Sequence, residues 1–278
     1  MSNSKEQNTR AMPSPLAGWP EMRRAAIRGV FCDIDDTLTR EGRVGSDVFL
    51  AMEQLQSAGV LVVPITGRPG GWCDMIARQW PVDGVVGENG ALYFRYDNQA
   101  RHMIRVYQDT PEQRARNRAK LDGIAAEVLQ TIPGAAIASD QAYRDNDLAI
   151  DFSEDVAPLG QSEIDAIVAV FEKHGATAKV SSIHVNGWFG NFDKLTMTRR
   201  FMAEVFGVDL DAERGNYCFV GDSPNDAPMF GYFPDAVGVA NLATMMDQCP
   251  QLPRWISTGG SGAGFVEVAN LILKARNR

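Results

Sequence analysis

The sequence predicts an α/β fold, in which a doubly wound core on a parallel sheet carries an inserted α+β unit. Short apolar runs at residues 30–32 and 217–220 are typical of buried parallel strands. Such runs alternate with helical apolar spacing near both ends of the chain. The middle of the chain instead mixes hairpin patterns with helices, which is typical of an α+β unit.

The first part of the core follows a β-α-β-α-β order, which predicts right-handed crossovers. The predicted elements are a strand at 30–33, a flap at 38–44, a helix between Ser46 and Gly59, a strand at 60–65, a helix around 72–80 and a strand at 85–86. Ser46 is a favourable N-cap and Gly59 a favourable helix end. Pro64 weakens the second strand as a central strand.

The remaining elements divide between an insertion and the end of the core. The insertion is predicted to contain a hairpin at 91–107, a helix at 111–130, a strand at 148–152, a helix at 164–174 and strands at 177–185. The core then resumes with a helix from Lys194 to Gly207, strands at 217–220 and 236–239, and a terminal helix at 265–275. We expect a flexible leader at 1–24, a core at 25–90 and 189–278, and an inserted domain at 91–188.

The composition limits what the chain can bind. Its formal net charge is −8 over 278 residues, and it has no basic block that would follow a phosphate backbone, so nucleic-acid binding is not expected. No apolar run reaches about 18 residues, so no membrane span is expected. Four scattered cysteines without CxxC spacing favour a reduced, cytoplasmic setting. The sequence does not indicate an oligomeric state.

Acidic residues follow two of the predicted core strands. Asp33 and Asp35 follow the first strand, and Asp222 and Asp226 follow the strand at 217–220. Because the carboxyl ends of parallel strands meet at one sheet edge, these carboxylates should lie together and repel each other. A divalent cation with a preference for oxygen ligands would relieve that repulsion, and Mg²⁺ is the first candidate.

The positions of these residues suggest individual roles. Asp33 directly follows a buried strand, and a carboxylate held there can attack phosphorus to form an aspartyl-phosphate. Asp35 can reach the leaving oxygen as a general acid and base. Thr66 ends the next strand, where its hydroxyl and nearby N–H groups, including that of Gly67, could bind a phosphate oxygen. Lys194 opens a helix and could neutralise the nucleophile and the phosphoryl oxygens.

Two further residues of the second acidic segment have predicted supporting roles. Asn225 and Asp226 would hydrogen-bond around a metal held by Asp222, or would fix Lys194. Each of these motifs alone also has a structural explanation, such as a turn or an acidic helix N-terminus. It is their joint order, each at a strand or helix end, that indicates a site.

This order resembles the haloacid dehalogenase superfamily of phosphatases. The four family motifs are matched by Asp33-Ile34-Asp35-Asp36-Thr37-Leu38, by Thr66-Gly67-Arg68, by Lys194 and by Gly221-Asp222-Ser223-Pro224-Asn225-Asp226. The segment Glu88-Asn89-Gly90-Ala91 resembles the junction into the α+β cap of subclass IIB. The likeness covers about residues 28 to 275, and one departure is Asp36, where glycine is usual.

The resemblance implies a mechanism and a metal. Asp33 would attack a phosphate ester while Asp35 protonates the leaving alcohol, and water activated by Asp35 would then hydrolyse the aspartyl-phosphate. Mg²⁺ would lie on Asp33, the backbone carbonyl of Asp35 and Asp222. Thr66 and Lys194 would hold the phosphoryl oxygens. A cap would open and close over the site and read the leaving group.

Substrate contacts are predicted from the cap and its borders. Arg68, Asn89, Asn186 and Trp188 are the candidates, because amides can bind hydroxyls and a Trp ring can stack on a sugar face. For Trp188, packing at a hinge between the domains is an equal alternative. The predicted partner is a small phosphorylated metabolite, with a sugar phosphate as the leading candidate.

Two other functions remain open at this point. A phosphotransferase of the phosphomannomutase kind has similar core motifs and a similar cap, but it returns the phosphoryl group to sugar. A metabolite sensor could retain the fold without chemistry. The complete set of Asp33, Asp35, Thr66, Lys194 and Asp222 argues against a sensor, because binding alone does not need both Asp33 and Asp35.

Overall fold

The computed structural model describes residues 11–276. Its strands are β1 (Ser14–Pro15), β2 (Gly29–Cys32), β3 (Thr39–Arg40), β4 (Arg43–Val44), β5 (Leu61–Pro64), β6 (Val85–Gly87), β7 (Leu92–Asp97), β8 (His102–Tyr107), β9 (Ala136–Ile137), β10 (Leu148–Asp151), β11 (Thr177–Val180), β12 (His184–Trp188), β13 (Tyr217–Gly221), β14 (Val237–Gly238) and β15 (Trp255–Ile256). Its helices are α1 (Glu21–Ala25), α2 (Ser46–Ser57), α3 (Gly70–Gln79), α4 (Pro111–Thr131), α5 (Gln161–Lys173), α6 (Lys194–Phe206), α7 (Leu210–Glu213), α8 (Ala227–Tyr232) and α9 (Ser261–Arg276).

The core is a six-stranded sheet in the order β1-β15-β14-β13-β2-β5, and all of its strand pairs are parallel. Each of the central strands β2 and β13 is buried along its whole length, which explains their continuous apolar sequence. Helices cover both faces of the sheet, so the core has separate apolar clusters on its two sides. The predicted doubly wound α/β fold is confirmed.

The leader is more ordered than its composition predicts. Residues 1–10 lie outside the described part of the chain. From Ser14 onward, the leader pairs in parallel with Trp255 and Ile256, so it adds an edge strand to the core sheet. Leu16 and Trp19 are each 1% exposed. The prediction of a flexible leader is therefore wrong for this stretch, because burial of these two side chains fixes it on the core.

The hairpin formed by β7 and β8 packs with the core. Strand β7 pairs with β6, and an isolated parallel bridge between Ile65 and Val86 joins β6 to the edge of the core sheet. Phe94 and Met103 lie in one core cluster, and Tyr93 lies in the cluster on the opposite face. The predicted boundary at residue 91 assigned this hairpin to the inserted domain, whereas the structure packs it against the core. We propose that the inserted unit begins after β8.

The inserted unit, called the cap below, contains an antiparallel sheet in the order β11-β12-β10-β9. Helices α4 and α5 cover one face of this sheet in a third apolar cluster. Successive residues of a strand point to opposite faces, so Val185 and Gly187 of β12 lie under these helices. Gly187 has no side chain because the ring of Phe171 lies where a Cβ would be, at 2.1 Å. His184, Asn186 and Trp188 point to the other face, toward the core.

The two chain crossings between core and cap lie together. On the outgoing crossing, the N–H of Gln108 donates to the carbonyl of Ala91 at 2.8 Å. On the returning crossing, Phe192 packs with Ala91 and Trp188 in a small separate cluster. Gly90 makes this close approach possible: its φ is 102°, and a Cβ there would lie 2.0 Å from the carbonyl oxygen of Asp193. Ala91 therefore contacts both crossings.

None of the helices in residues 11–276 combines the length and apolar character that a membrane crossing requires.

Candidate active site

Strands β2 and β13 are neighbours in the sheet, and this brings the two acidic segments together. The N–H of Asp33 continues the ladder by donating to the carbonyl of Val220 at 2.9 Å. Asp33 and Asp222 are 7% and 2% exposed. The pairing of two central strands therefore fixes both carboxylates at one buried edge, as the strand-end positions predict.

Lys194 links the nucleophile candidate to the second acidic segment. Its Nζ donates to Oδ1 of Asp33 at 2.7 Å and to Oδ1 of Asp226 at 2.8 Å. Lys194 is the first residue of α6, and the side chain of Asp193 caps that helix by accepting the N–H of Thr196 at 2.7 Å. Burial would lower the pKa of the Lys194 ammonium, but Asp226 and Asp33 raise it above its ordinary value.

Asp33 lies in a field of competing charges. Burial raises the pKa of its carboxyl to about 7; Lys194 opposes this shift, and Asp226 and Asp35 add to it. Burial likewise raises the pKa of Asp222, with further contributions from Asp226 and Asp33. One buried lysine thus faces more carboxylate charge than it can neutralise.

Asp222 has its own supporting partners. Its Oδ1 accepts from the hydroxyl of Thr37 at 3.3 Å, and its Oδ2 accepts from the amide of Asn241 at 3.1 Å. The same Asn241 amide donates to the backbone carbonyl of Asp36 at 3.1 Å, so it ties both acidic segments together. Asn241 is not among the predicted site residues, although it follows β14 at the same sheet edge as Asp33 and Asp222.

The acidic cluster fits a hard divalent cation. Ligand oxygens of Asp33, Asp222 and Asp226 all lie within 4.8 Å of one another. Both oxygens of Asp226 are already engaged: Oδ1 accepts from Lys194, and Oδ2 accepts the N–H groups of Asp222 and Ser223 at 3.1 and 3.4 Å. Asp226 is therefore placed to hold Lys194 and the loop, and Asp33 and Asp222 are the remaining candidate metal ligands of this cluster.

The Thr66-Gly67-Arg68 segment borders the same cleft. The hydroxyl of Thr66 accepts the N–H of Arg68 at 3.0 Å, and Gly67 and Arg68 line the cleft wall. The Arg68 guanidinium contacts Asp35 through Nε, 3.1 Å from both carboxylate oxygens, and through Nη2 at 2.9 Å. Arg68, proposed as a substrate contact, thus holds the acid–base candidate.

Three of the four predicted substrate contacts reach the cleft: Arg68, Asn89 and Asn186. Asn89 accepts from the amide of Asn225 at 3.1 Å, and its buried Nδ2 has no hydrogen-bond partner within residues 11–276. Asn186 donates to Asp147 at 3.0 Å. Asn225 therefore orients Asn89, which leaves an amide donor available to a ligand.

Trp188 does not line this cleft. It is 1% exposed and stacks on Phe192, with ring centroids 5.7 Å apart. Its ring borders a separate cavity beside Asn89 and Lys194. This placement keeps Trp188 off the wall of the main cleft and fits the alternative of packing at the junction.

The cap contributes a buried charge network that the sequence analysis missed. Arg144, on the cleft wall, pairs with Asp140 at 2.9 Å and with Asp147 at 3.1 Å. It also donates to the core carbonyl of Gly67 at 2.8 Å. In the sequence, Asp140, Arg144 and Asp147 look like an ordinary charged loop, and their pairing becomes visible only in the folded cap.

Glu88 ties the cap to the core a second time. Its buried carboxylate accepts the N–H groups of Gly70, Asp145 and Asn146 at 2.8, 2.8 and 2.6 Å, and the Asn146 side chain at 2.9 Å. Glu88 and Asn89 both have left-handed backbone, with φ of 46° and 55°. This conformation is unfavourable for non-glycine residues, so the surrounding contacts must maintain it.

Comparison with known proteins supports the same family. Residues 30–117 match the model of the haloacid dehalogenase-like hydrolases. The chain has no sequence match among curated proteins. The predicted resemblance to this superfamily is confirmed over residues 30–117 by the family match.

Solved structures match nearly the whole chain. The C-terminal domain of C. albicans trehalose-6-phosphate phosphatase is 14% identical, with a TM-score of 0.70, over 96% of this chain and 99% of that one. A Thermoplasma acidophilum protein is 16% identical, with a TM-score of 0.68, over 88% and 98%. The sucrose-phosphatase of Synechocystis sp. PCC6803, solved with sucrose and phosphate, is 15% identical, with a TM-score of 0.61, over 88% and 97%. At these identities the likeness establishes a shared fold.

Proposed function

We propose that this chain, which resembles the haloacid dehalogenase-like hydrolases, is a Mg²⁺-dependent phosphatase that acts on a phosphorylated small metabolite. The observation that carries the proposal is the pairing of Lys194 with both Asp33 and Asp226, next to Asp222. A buried lysine between a strand-end aspartate and a second acidic loop suits phosphoryl transfer, which depends on positioning and charge neutralisation.

In the proposed reaction, Asp33 attacks the phosphorus atom of the ester and becomes an aspartyl-phosphate. Asp35 donates its proton to the leaving oxygen and then accepts a proton from the water that hydrolyses the intermediate. Lys194 neutralises charge on Asp33 and on the phosphoryl oxygens. Asp33, Asp222 and the Asp35 carbonyl would hold Mg²⁺, which supplies additional positive charge against the phosphoryl oxygens.

Arg68 fixes the direction of the Asp35 carboxylate. Its Nε lies 3.1 Å from both oxygens of the Asp35 carboxylate, and its Nη2 adds a third contact at 2.9 Å. A planar guanidinium that contacts both carboxylate oxygens restricts the rotation of that carboxylate. Asp35 is only partly buried, so this contact is what gives it a defined direction.

A sugar phosphate is the leading substrate class. Two of the similar structures are named as phosphatases of sugar phosphates, trehalose 6-phosphate and sucrose phosphate. The cleft supports the same class, because Asn89 and Asn186 place amide groups on its wall. The side-chain amide of Asn can donate a hydrogen bond to a hydroxyl group and can also accept one from it.

The test is release of inorganic phosphate from a panel of phosphorylated sugars and other metabolites, with Mg²⁺ and with EDTA. Asp33→Asn should reduce release by at least about a thousandfold because it removes the nucleophile. Asp122→Asn, on the exposed side of α4, is the matched control and should leave release unchanged.

EDTA-sensitive release that is lost only in Asp33→Asn supports the proposal. Release that survives Asp33→Asn would place the nucleophile elsewhere. If no ester of the panel is hydrolysed, a phosphatase is ruled out for these substrates, and isomerisation assayed with a bisphosphate activator tests the phosphomutase alternative.

A further inference from the structure

We infer that Glu154 and His184 of the cap form a leaving-group subsite that accepts uncharged, hydroxyl-bearing groups and discriminates against anionic ones. The inference rests on the proposed function and narrows its substrate class. It is carried by the arrangement of two adjoining cavities, by the way the cap holds Glu154, and by the pairing of His184 with Glu154.

The two cavities meet at Asp35 and Arg68. The inner one, of about 30 Å³, is lined by Asp33 and Asp222, and the outer one, of about 390 Å³, lies between the cap and the flap formed by β3 and β4. Asp35 lines both. If the phosphoryl group lies at Asp33 and the leaving oxygen at Asp35, the rest of the leaving group must begin at this boundary.

The cap places Glu154 at the boundary through a preformed turn. Asp151, at the end of β10, accepts the N–H groups of Ser153 and Glu154 on Oδ1 at 2.9 and 2.8 Å, and that of Asp155 on Oδ2 at 2.9 Å. Such an aspartate turn fixes the loop without a ligand. The side chain of Glu154 then reaches Arg68, with Oε1 2.8 Å from Nη2.

His184 supplies a buried polar atom beside Glu154. It is 2% exposed and lines the inner cavity. Its Nε2 lies 2.9 Å from Oε2 of Glu154, so the imidazole pairs with this carboxylate. Together with Arg68, His184 therefore holds the Glu154 carboxylate in place at the boundary between the two cavities.

The charge around the outer cavity is predominantly negative. Four carboxylates line it, those of Asp35, Asp36, Glu41 and Glu154, and Arg68 is the one cationic lining residue in the described chain. Arg68 already pairs with Asp35 and Glu154 and lies 3.4 Å from Asp140. The contacts with His184 and Arg68 lower the pKa of Glu154 to about 2, so its charge persists across the neutral range.

This arrangement suits hydroxyl groups and opposes anions. A carboxylate accepts hydrogen bonds from hydroxyl donors, and the serine hydroxyls of Ser153 and Ser182 on the same wall can donate or accept. A leaving group with its own carboxylate or phosphate would add negative charge next to Glu154 and find Arg68 already neutralised. Specificity here comes from repulsion of the wrong group as well as from contacts to the right one.

The experiment compares two esters that differ only at the distal carbon: glycerol 3-phosphate, with a hydroxymethyl group, and 3-phosphoglycerate, with a carboxylate. Binding of each is measured calorimetrically on Asp33→Asn protein, and phosphate release on protein with Asp33 intact. We expect a preference for glycerol 3-phosphate of about tenfold or more in both measurements, which Glu154→Gln reduces severalfold.

Two variants separate charge from structure. Glu154→Asp retains the charge and should retain most of the preference, whereas Glu172→Gln, an exposed position on α5, should not change it. A general loss of cap packing would weaken both esters equally, so only a changed ratio between them supports the subsite.

The outcomes distinguish the inference from the proposed function. Selective binding without phosphate release keeps the subsite and overturns the phosphatase. Phosphate release with equal use of both esters keeps the phosphatase and overturns the subsite. A preference for 3-phosphoglycerate, or one that Glu154→Gln leaves unchanged, also overturns the subsite, and binding of neither ester counts against both.

Discussion

The core and the cap build their halves of the cleft in different ways. In the core, Asp33 and Asp222 are placed by the ends of two paired strands, and the backbone alone determines where they lie. In the cap, Glu154 and Arg144 are placed by side-chain networks that depend on other side chains. The comparison teaches that strand ends fix the residues proposed as nucleophile and metal ligand, while side-chain contacts fix Asp35 and the residues proposed for substrate choice.

The largest expected effect comes from Lys194 in the core. Lys194→Met leaves Asp33 and Asp226 buried without their shared cation, so we expect phosphate release to fall by at least about a thousandfold. The free energy of unfolding should also fall, by about 3–5 kcal/mol, because breaking a buried pair leaves uncompensated charge. Phosphate release and urea unfolding check the two effects. Normal turnover in a stable Lys194→Met protein would end the assignment of Lys194 to the reaction.

A smaller effect is expected from Asn241, which supports Asp222 from outside the proposed metal ligands. Asn241→Ala should raise the Mg²⁺ concentration needed for half-maximal activity by about tenfold or more, as loss of such partners commonly does. The maximal rate at saturating Mg²⁺ should change less. Asn98→Ala, in the exposed β7–β8 turn, is the control. If the Mg²⁺ titration of Asn241→Ala overlays that of the unchanged protein, Asn241 has no part in metal binding.

The smallest effect is expected at Trp188, where core and cap meet. Trp188→Phe keeps an aromatic ring against Phe192, so we expect a loss of roughly 1–2 kcal/mol of stability from the reduced volume. KM and kcat should stay within about twofold, because the ring lies outside the main cleft. Thermal unfolding and steady-state kinetics check this. A selective rise in KM for a sugar phosphate would return Trp188 to the substrate contacts.

The part that could be predicted from sequence is the part that backbone periodicity encodes. Apolar runs locate β2 and β13, and the residues that follow them are necessarily at the sheet edge. Lys194 is predictable for the same reason, since a helix start fixes its position. Pro64 argues against a central strand by sequence, but it is the last residue of β5 and therefore does not interrupt that strand.

What could not be predicted depends on contacts between distant segments. The β7–β8 hairpin has a clear alternating pattern, but its place on the core depends on the bridge between Ile65 and Val86. Glu88 appears in sequence as part of a turn, and its four hydrogen bonds come from Gly70 and from the cap. The sequence around an aromatic residue such as Trp188 does not distinguish a ring that binds a sugar from a ring that packs on another aromatic side chain.

The two connections between core and cap lie together at Ala91, so one end of the cap is attached to the core and the other end is not connected to it by the backbone. If the cap turns as a rigid body, its pivot must lie near the point where Ala91 contacts both Gln108 and Phe192. Trp188 is next to that pivot, and His184 lies four residues away at the other end of β12, about 13 Å along an extended strand. Such a rotation would displace His184 and its neighbour Glu154 far more than Trp188, and it would separate Glu154 from Arg68 while the stacked rings of Trp188 and Phe192 stay in contact.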